Sequence, residues 1–229
     1  MRGVCGCTAL KTVLTMNWRL TISALACLAA ASCQLQNNSE DFLCAELELI
    51  HGADSIMRVL TIRDSCDLAT LRANSRNLSA SSLLSDTYAE LEQLMTATVT
   101  HPSQDGVGIA GPQVGLNRRV VAVQRFDKDG YPFEVYPNIR IVWASDSLEY
   151  GPEGCLSVPE QMADVLRSQE IIIEYADMKA LRKAAADKCG IDAIPMTRDT
   201  VKGFTAVIFQ HETDHLDGIL YIDRLSEQK

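Results

Sequence analysis

The chain has 229 residues, 47% hydrophobic and 22% charged, enough apolar material for one globular domain with its own core. Its 21 Lys and Arg against 30 Asp and Glu give a net charge of −9. No stripe of cations interleaved with aromatics runs along it, which excludes a free-standing nucleic-acid-binding module.

Residues 1–32 carry Arg2, Lys11 and Arg19, no acidic residue, and an apolar stretch from Leu20 to Ala31. A basic start, a short apolar run and small residues before Cys33 form the pattern of a secretory signal. The run is shorter than the roughly 20 apolar residues a membrane span needs. Ala30-Ala31-Ser32-Cys33 resembles a bacterial lipoprotein cleavage box, with Cys33 as a lipidated mature N-terminus that anchors an exported chain to a membrane. Met16, followed by Asn17-Trp18-Arg19, is a tidier start than Met1. The alternative is a cytoplasmic chain with an N-terminal tail or a misassigned start. Losing the segment removes three cations, leaving 18 − 30 = −12, and also removes Cys5, Cys7 and Cys27. No CxxC pair remains, which argues against a zinc knuckle or thioredoxin-like motif. A disulfide among Cys44, Cys66 and Cys189 suits an exported chain, and the spacing favours no pairing.

Residues 33–50 begin polar and read as a tether to a domain over 51–229. Ile56 to Ile62 is an edge strand or an extended arm. Between Ser82 and Val99, apolar Leu84, Tyr88, Leu91, Met95 and Val99 recur at helical spacing, and Pro102 follows the end. A glycine-rich loop over 106–115 leads into a β-branched strand, Arg119 to Gln124, and Asp127-Lys128-Asp129-Gly130 is a turn. Further strands are expected at 133–143 and 170–175, and either a short helix or an insertion at 179–190. Gly203 to Leu216 is a second helix, which Gly218 terminates. Strands around a core helix, without βαβ alternation, indicate α+β: antiparallel or mixed sheets packed around the 203–216 helix, with an N-terminal helix.

The chemistry concentrates in Gln210-His211-Glu212-Thr213-Asp214-His215. On a helix His211 and His215 project from one face a turn apart and can grip one divalent ion, with Glu212 beside it to move protons. A hydrolytic site needs a third ligand and one open position. Downstream carboxylates are limited to Asp217, Asp223 and Glu227, and no histidine follows. Upstream lies Glu153-Gly154-Cys155-Leu156-Ser157-Val158-Pro159, where a Cys155 thiolate would complete a Cys-His-His set. A lone cysteine is more often a buried structural residue; beside the helix motif the ligand reading prevails. The loop Gly106-Val107-Gly108-Ile109-Ala110-Gly111-Pro112-Gln113-Val114-Gly115 lacks the Gly-Lys-Ser/Thr of a phosphate cradle. It can bring backbone groups close to a substrate, and Gln113 supplies a neutral amide donor for a developing oxyanion.

The blocks GVGIAGPQVG, EGCLSVP and QHETDHLDG, in this order and over roughly residues 56–227, resemble peptide deformylase. The resemblance implies a metal-dependent hydrolase that removes the formyl group from N-formylmethionyl peptides or nascent-chain N-termini, giving formate and a free amine. It implies Cys155, His211 and His215 as ligands of one ion, ferrous iron in the family, with zinc or another divalent metal able to substitute. Glu212 would be the general acid/base. Gln113 and the Leu156 N–H would hold the oxyanion. Gly108, Ile109, Gly154 and Arg167 would contact substrate, although Arg167 has an equal claim to meet a structural carboxylate. Glu153 and Asp214 are candidates for orienting the imidazoles or are simply solvated. His51 and His101 fall outside every motif and read as surface or packing residues.

Several positions depart from the family pattern. Gly111 stands where alanine is usual, Met162 replaces a basic residue, Tyr136-Pro137-Asn138 departs from an Asn-Pro order, and the signal segment is foreign to a cytoplasmic family. The competing readings are an HExxH metallopeptidase with a different third ligand and a non-catalytic peptide-binding surface lipoprotein.

Overall fold

The computed structural model describes residues 40–187 and 191–225. The signal segment, Cys33 and Cys189 lie outside them.

The first described helix, α1 (Cys44–His51), overturns part of the expected tether. Its Ile50 is fully buried in the core, and Glu46 is clamped by the buried Arg118 guanidinium, Nε to Oε1 at 2.8 Å. Glu46 Oε2 also accepts the Leu43 N–H at 2.8 Å, which ties the start of the helix. An arm over residues 57–62 follows with no strand of its own. Next come α2 (Ser65–Leu71) and α3 (Ala80–Leu83).

The helix expected from Ser82 begins later, as α4 (Asp86–Thr100), because the Ser85 hydroxyl caps it by accepting the Tyr88 N–H. Leu84 is consequently left outside the helix and exposed. Tyr88, Leu91, Met95 and Val99 form the buried stripe.

Three antiparallel strands, β1 (Gly108–Ala110), β2 (Val120–Gln124) and β3 (Phe133–Pro137), form one sheet in the order β1-β2-β3. The expected 133–143 strand divides at Asn138, whose φ of 53° breaks the run; its side chain bonds both Leu78 backbone groups. A second antiparallel sheet has the order β4-β7-β8, from β4 (Arg140–Ala144), β7 (Glu170–Ala176) and β8 (Met196–Lys202). A two-stranded ribbon, β5 (Leu148–Cys155) with β6 (Val158–Ser168), carries Cys155 at its tip. The named strand pairs are all antiparallel, so the mixed alternative is not needed. Helix α5 (Met178–Ala186) fills the helical option for 179–190.

β2 is buried on both sides, which explains its unbroken apolar run. Val120 and Ala122 pack on the α4 side, while Val121 and Val123 pack against α6 (Gly203–Leu216). Ile171, Ile173 and Val201 of the second sheet cover α6 from elsewhere. The expected boundaries of α6 match those observed, and Gly218 follows at φ 71°. Val158 and Val165 of the ribbon pack with Leu220 and Tyr221 at the start of α7 (Tyr221–Arg224).

Gly111 has a specific reason. A Cβ there would lie 2.7 Å from the carbonyl oxygens of both Leu116 and Arg118, so the chain turns back too tightly for alanine. Among the described residues Cys44 and Cys66 are free thiols, not joined to each other, while Cys189 lies outside those residues.

Candidate metal centre and cleft

Helix α6 is buried almost all round, which places polar side chains deep in the domain. His211, Glu212, Thr213, Asp214 and His215 are all buried. Such groups need partners or a ligand. His211 Nδ1 lies 2.8 Å from Glu153 Oε2 on the ribbon. Burial drives the Glu153 carboxyl upward, but His211 and Arg167 more than reverse this and hold it at about 2. An ionised acceptor fixes the proton on Nδ1 and frees His211 Nε2.

The ribbon tip brings Cys155 Sγ to 3.2 Å from His215 Nε2. One donor atom from each of Cys155, His211 and His215 falls within 4.8 Å of the others. Tetrahedral bonds of about 2.3 Å to sulfur and 2.0–2.1 Å to nitrogen put S and N roughly 3.6 Å apart. The three donors therefore fit one ion with small adjustment. Burial raises the Cys155 thiol, but the two imidazoles outweigh it and hold the group well below the usual thiol range, on the thiolate side that metal binding requires.

Glu212 is fully buried, and its Oε2 has no hydrogen-bond partner among the described residues. Burial lifts its carboxyl to about 7, against the pull of the two imidazoles. Gly108 makes the room, since a Cβ there would sit 2.5 Å from Glu212 Oε1.

Gln113 is oriented by its neighbours. Its Oε1 accepts the Ala110 N–H at 2.8 Å, so Nε2 is the donor turned toward Ser157 Oγ at 3.3 Å and Cys155 Sγ at 3.6 Å. The 57–62 arm straps both loops of the site. The Leu60 N–H donates to the Gln113 carbonyl at 2.8 Å, and the Ile62 N–H to that of Ser157 at 2.9 Å. Ser157 and this strap were not singled out from sequence; only the structure brings residues 60, 113 and 157 together.

A cleft of about 720 Å³ opens over these groups, lined by Gly108, Gln113, Gly154, Cys155, Leu156, His211 and Glu212 among others. Two expected substrate contacts are not part of it. Ile109 buries its side chain in the core, and its backbone faces β2 opposite Ala122. The Gln124 N–H bonds the Val107 carbonyl, so pairing to β2 falls on alternate residues. The backbone groups of Gly108 are left on the free edge of β1. Arg167 is buried away from the cleft, bonding Glu153 at 2.7 Å and Asp214 at 2.7 Å. Of its two expected roles the structural one holds: it joins the carboxylate that orients His211 to the helix that bears it. Arg224 adds a second cation on Asp214, Nη2 to Oδ1 at 2.6 Å. Glu153 and Asp214 are thus buried and paired, not solvated.

The downstream carboxylates are engaged elsewhere, Asp217 with Arg119 at 2.6 Å and Asp223 with Arg72. Glu227 lies outside the described residues. His51 and His101 are exposed, as expected.

A Cys-His-His donor set, an adjacent buried carboxylate and an amide donor in one cleft define a mononuclear metal-dependent hydrolase. The family model described as polypeptide deformylase matches residues 56–229. Peptide deformylase 2 of Gloeobacter violaceus is 35% identical over 159 residues, covering 69% of this chain and 75% of that one. Peptide deformylase 2 of Vibrio cholerae is 32% identical over 177 residues, covering 76% and 89%. The class I type b peptide deformylase of Acinetobacter baumannii, in a Met-Ala-Ser bound crystal structure, superposes with a TM-score of 0.60 at 30% identity, covering 74% and 98%. The chain belongs to the polypeptide deformylase family, enzymes that remove the formyl group from the N-terminus of peptides. The metallopeptidase and binding-protein alternatives are not favoured.

Arg167→Met would leave Glu153 and Asp214 short of a shared buried cation, and a loss of about 3 kcal/mol or more is expected. Urea unfolding checks this; a change below about 1 kcal/mol would show that the arginine is dispensable.

Proposed function

We propose that this chain hydrolyses N-formylmethionyl peptides with Cys155, His211 and His215 holding one divalent ion, Glu212 moving the proton, and Gln113 with the Leu156 N–H steadying the oxyanion. The convergence of the three donors within 4.8 Å, beside a buried Glu212, carries the reading. The proposed ion is ferrous iron, with zinc or another divalent cation able to take the same soft and imidazole donors. Such an ion, when bound, supplies Lewis acidity and makes water a nucleophile near neutral pH.

The protein's own groups do the remaining work. Gly108 offers its free backbone edge to the peptide in the manner of an added strand. Gly154 and Leu156 form the opposite lip. Glu212, lifted toward neutrality by burial, can take a proton from water and pass it to the departing amine. Gln113 Nε2 is held ready by the bond its Oε1 makes to Ala110, so no reorganisation is needed as the carbonyl oxygen gains charge. The Met-Ala-Ser peptide bound by the Acinetobacter baumannii relative is the kind of chain the reaction leaves behind.

Formate release from formyl-Met-Ala-Ser by metal-loaded protein tests the reading. Glu212→Ala should lower kcat/KM by about 10²–10⁴ while metal content, measured by atomic emission, stays at one ion per chain. Activity within a few-fold of the parent would remove Glu212 from the mechanism.

We also propose export and lipidation at Cys33, supported by the basic start, the apolar run and the Ala-Ala-Ser-Cys sequence. The substrates would then be formylated peptides outside the cytoplasm. Mass spectrometry of the mature N-terminus in the native host should find a diacylglyceryl-modified Cys33; an intact Met1 or Met16 would contradict export.

A further inference from the structure

A bulge in β4 changes what the second sheet shows to solvent. Arg140 pairs with Glu174 and Ile141 with Ile173, but Trp143, not Val142, stands opposite Ile172, and Ala144 stands opposite Ile171. Ile171 and Ile173 are buried with Ala206, Ile208 and Phe209 of α6. A strand without the extra residue would place Trp143 opposite Ile171 and turn it toward that core. The bulge re-aims it to the outward face, where it is 48% exposed on an edge strand beside an exposed Val142.

The rest of the outward face is basic. Arg140 and Arg198 both bond Glu174, Arg198 at 2.7 Å, and Lys202 reaches Glu170 at 3.1 Å. Ile172 stands between Trp143 and Thr200. Three exposed cations against two carboxylates leave these positions at +1, on a chain whose net charge is −9. Asp146 and Asp192 lie at the rims. Tryptophan settles at the level of lipid headgroups, and arginine and lysine reach from an apolar surface to phosphates. An anionic leaflet repels most of so acidic a protein and repels this face least.

The place where the chain enters the domain selects the occupant. Glu40 lines one depression, of about 530 Å³, together with Arg140 and Met196, which begin β4 and β8. Trp143 is three residues along β4, roughly 10 Å from Arg140. Cys33 precedes Glu40 by seven residues, which span at most about 25 Å. A lipid on Cys33 would therefore hold the rim of this face beside the bilayer. The cleft is walled by the 103–108 segment, the β5–β6 ribbon and α6, so it stays open to peptides when the outward face is covered.

We propose that the outward face of the second sheet, centred on Trp143 and bordered by Arg140, Arg198 and Lys202, docks on the phospholipid bilayer. This rests on the export and lipidation reading and adds an orientation to it. The domain lies on the membrane by this sheet, with its cleft uncovered, instead of hanging free on its tether.

Trp18 and Trp143 are the two tryptophans, so a chain cleaved before Cys33 keeps Trp143 alone, and its fluorescence reads this face. The test takes protein extracted from host membranes, identifies its N-terminus by mass spectrometry and reconstitutes it in vesicles of equal parts phosphatidylcholine and phosphatidylglycerol. Lipids brominated near the headgroup should quench Trp143, and iodide added outside should not. Bromolipid quenching should fall in Arg198→Gln/Lys202→Gln, because each cation near an anionic surface favours contact roughly fivefold. Unchanged formate release would show that the variant is folded. A lipidated Cys33 with Trp143 open to iodide and untouched by bromolipid overturns the docking face and leaves the anchor intact. Shielding from both quenchers in a chain that sediments as a dimer assigns the face to a second copy and also overturns it. An N-terminus without lipid on Cys33 brings down both readings.

Discussion

Everything in this structure is arranged around a helix that is apolar enough to be buried yet carries two histidines and four other polar side chains into the interior. Such a helix is stable only if most of those groups find partners. Glu153, Arg167, Asp214 and Arg224 form a continuous chain of buried or half-buried charges that satisfies Asp214 and ends on His211 Nδ1, while Glu212 Oε2 and His215 Nδ1 have no hydrogen-bond partner among the described residues. That chain crosses from the ribbon to the helix, and the same ribbon brings Cys155 to the imidazoles. Fold stability and ligand geometry therefore rest on one set of ion pairs. Removing a member leaves an unpaired buried charge, which costs far more than the pair contributes over an apolar replacement.

The helix and the three sequence blocks were legible because several independent signals agree. Gly203, the HExxH spacing and Gly218 all mark the same helix, and the observed ends coincide with them. β2 was legible as a β-branched run, since a strand buried on both faces needs no alternation. The β5–β6 ribbon was not. Gly151, Pro152, Gly154 and Pro159, among charged residues, give no period-two pattern, and about half of the ribbon's residues are exposed. The helix at 44–51 was hidden for a different reason. It is only eight residues long, too short to show a sustained helical period, and it is fixed by Ile50 and by Glu46 meeting Arg118 across 72 residues of chain. No local pattern encodes a partner that distant.

The site shows the same division. Residue types and spacing were enough to gather Cys155, His211, His215, Glu212 and Gln113. Which way each group faces was not readable. Ile109 and Gly108 are neighbours on one strand, but alternate hydrogen bonding gives the free edge to Gly108 alone. In the sequence Arg167 has equal claims on substrate and protein, and only burial decides for protein. Glycine at 111, where the family pattern has alanine, is demanded by two carbonyl oxygens at 2.7 Å from where a Cβ would be.

The central claim is that Cys155 sulfur and the two imidazole nitrogens bind one ion. X-ray absorption spectroscopy of the zinc-loaded protein measures this directly. The account predicts one sulfur at about 2.3 Å and two nitrogens at about 2.0–2.1 Å, with the sulfur shell lost in Cys155→Asp. A first shell of nitrogen and oxygen alone in the parent protein would contradict it.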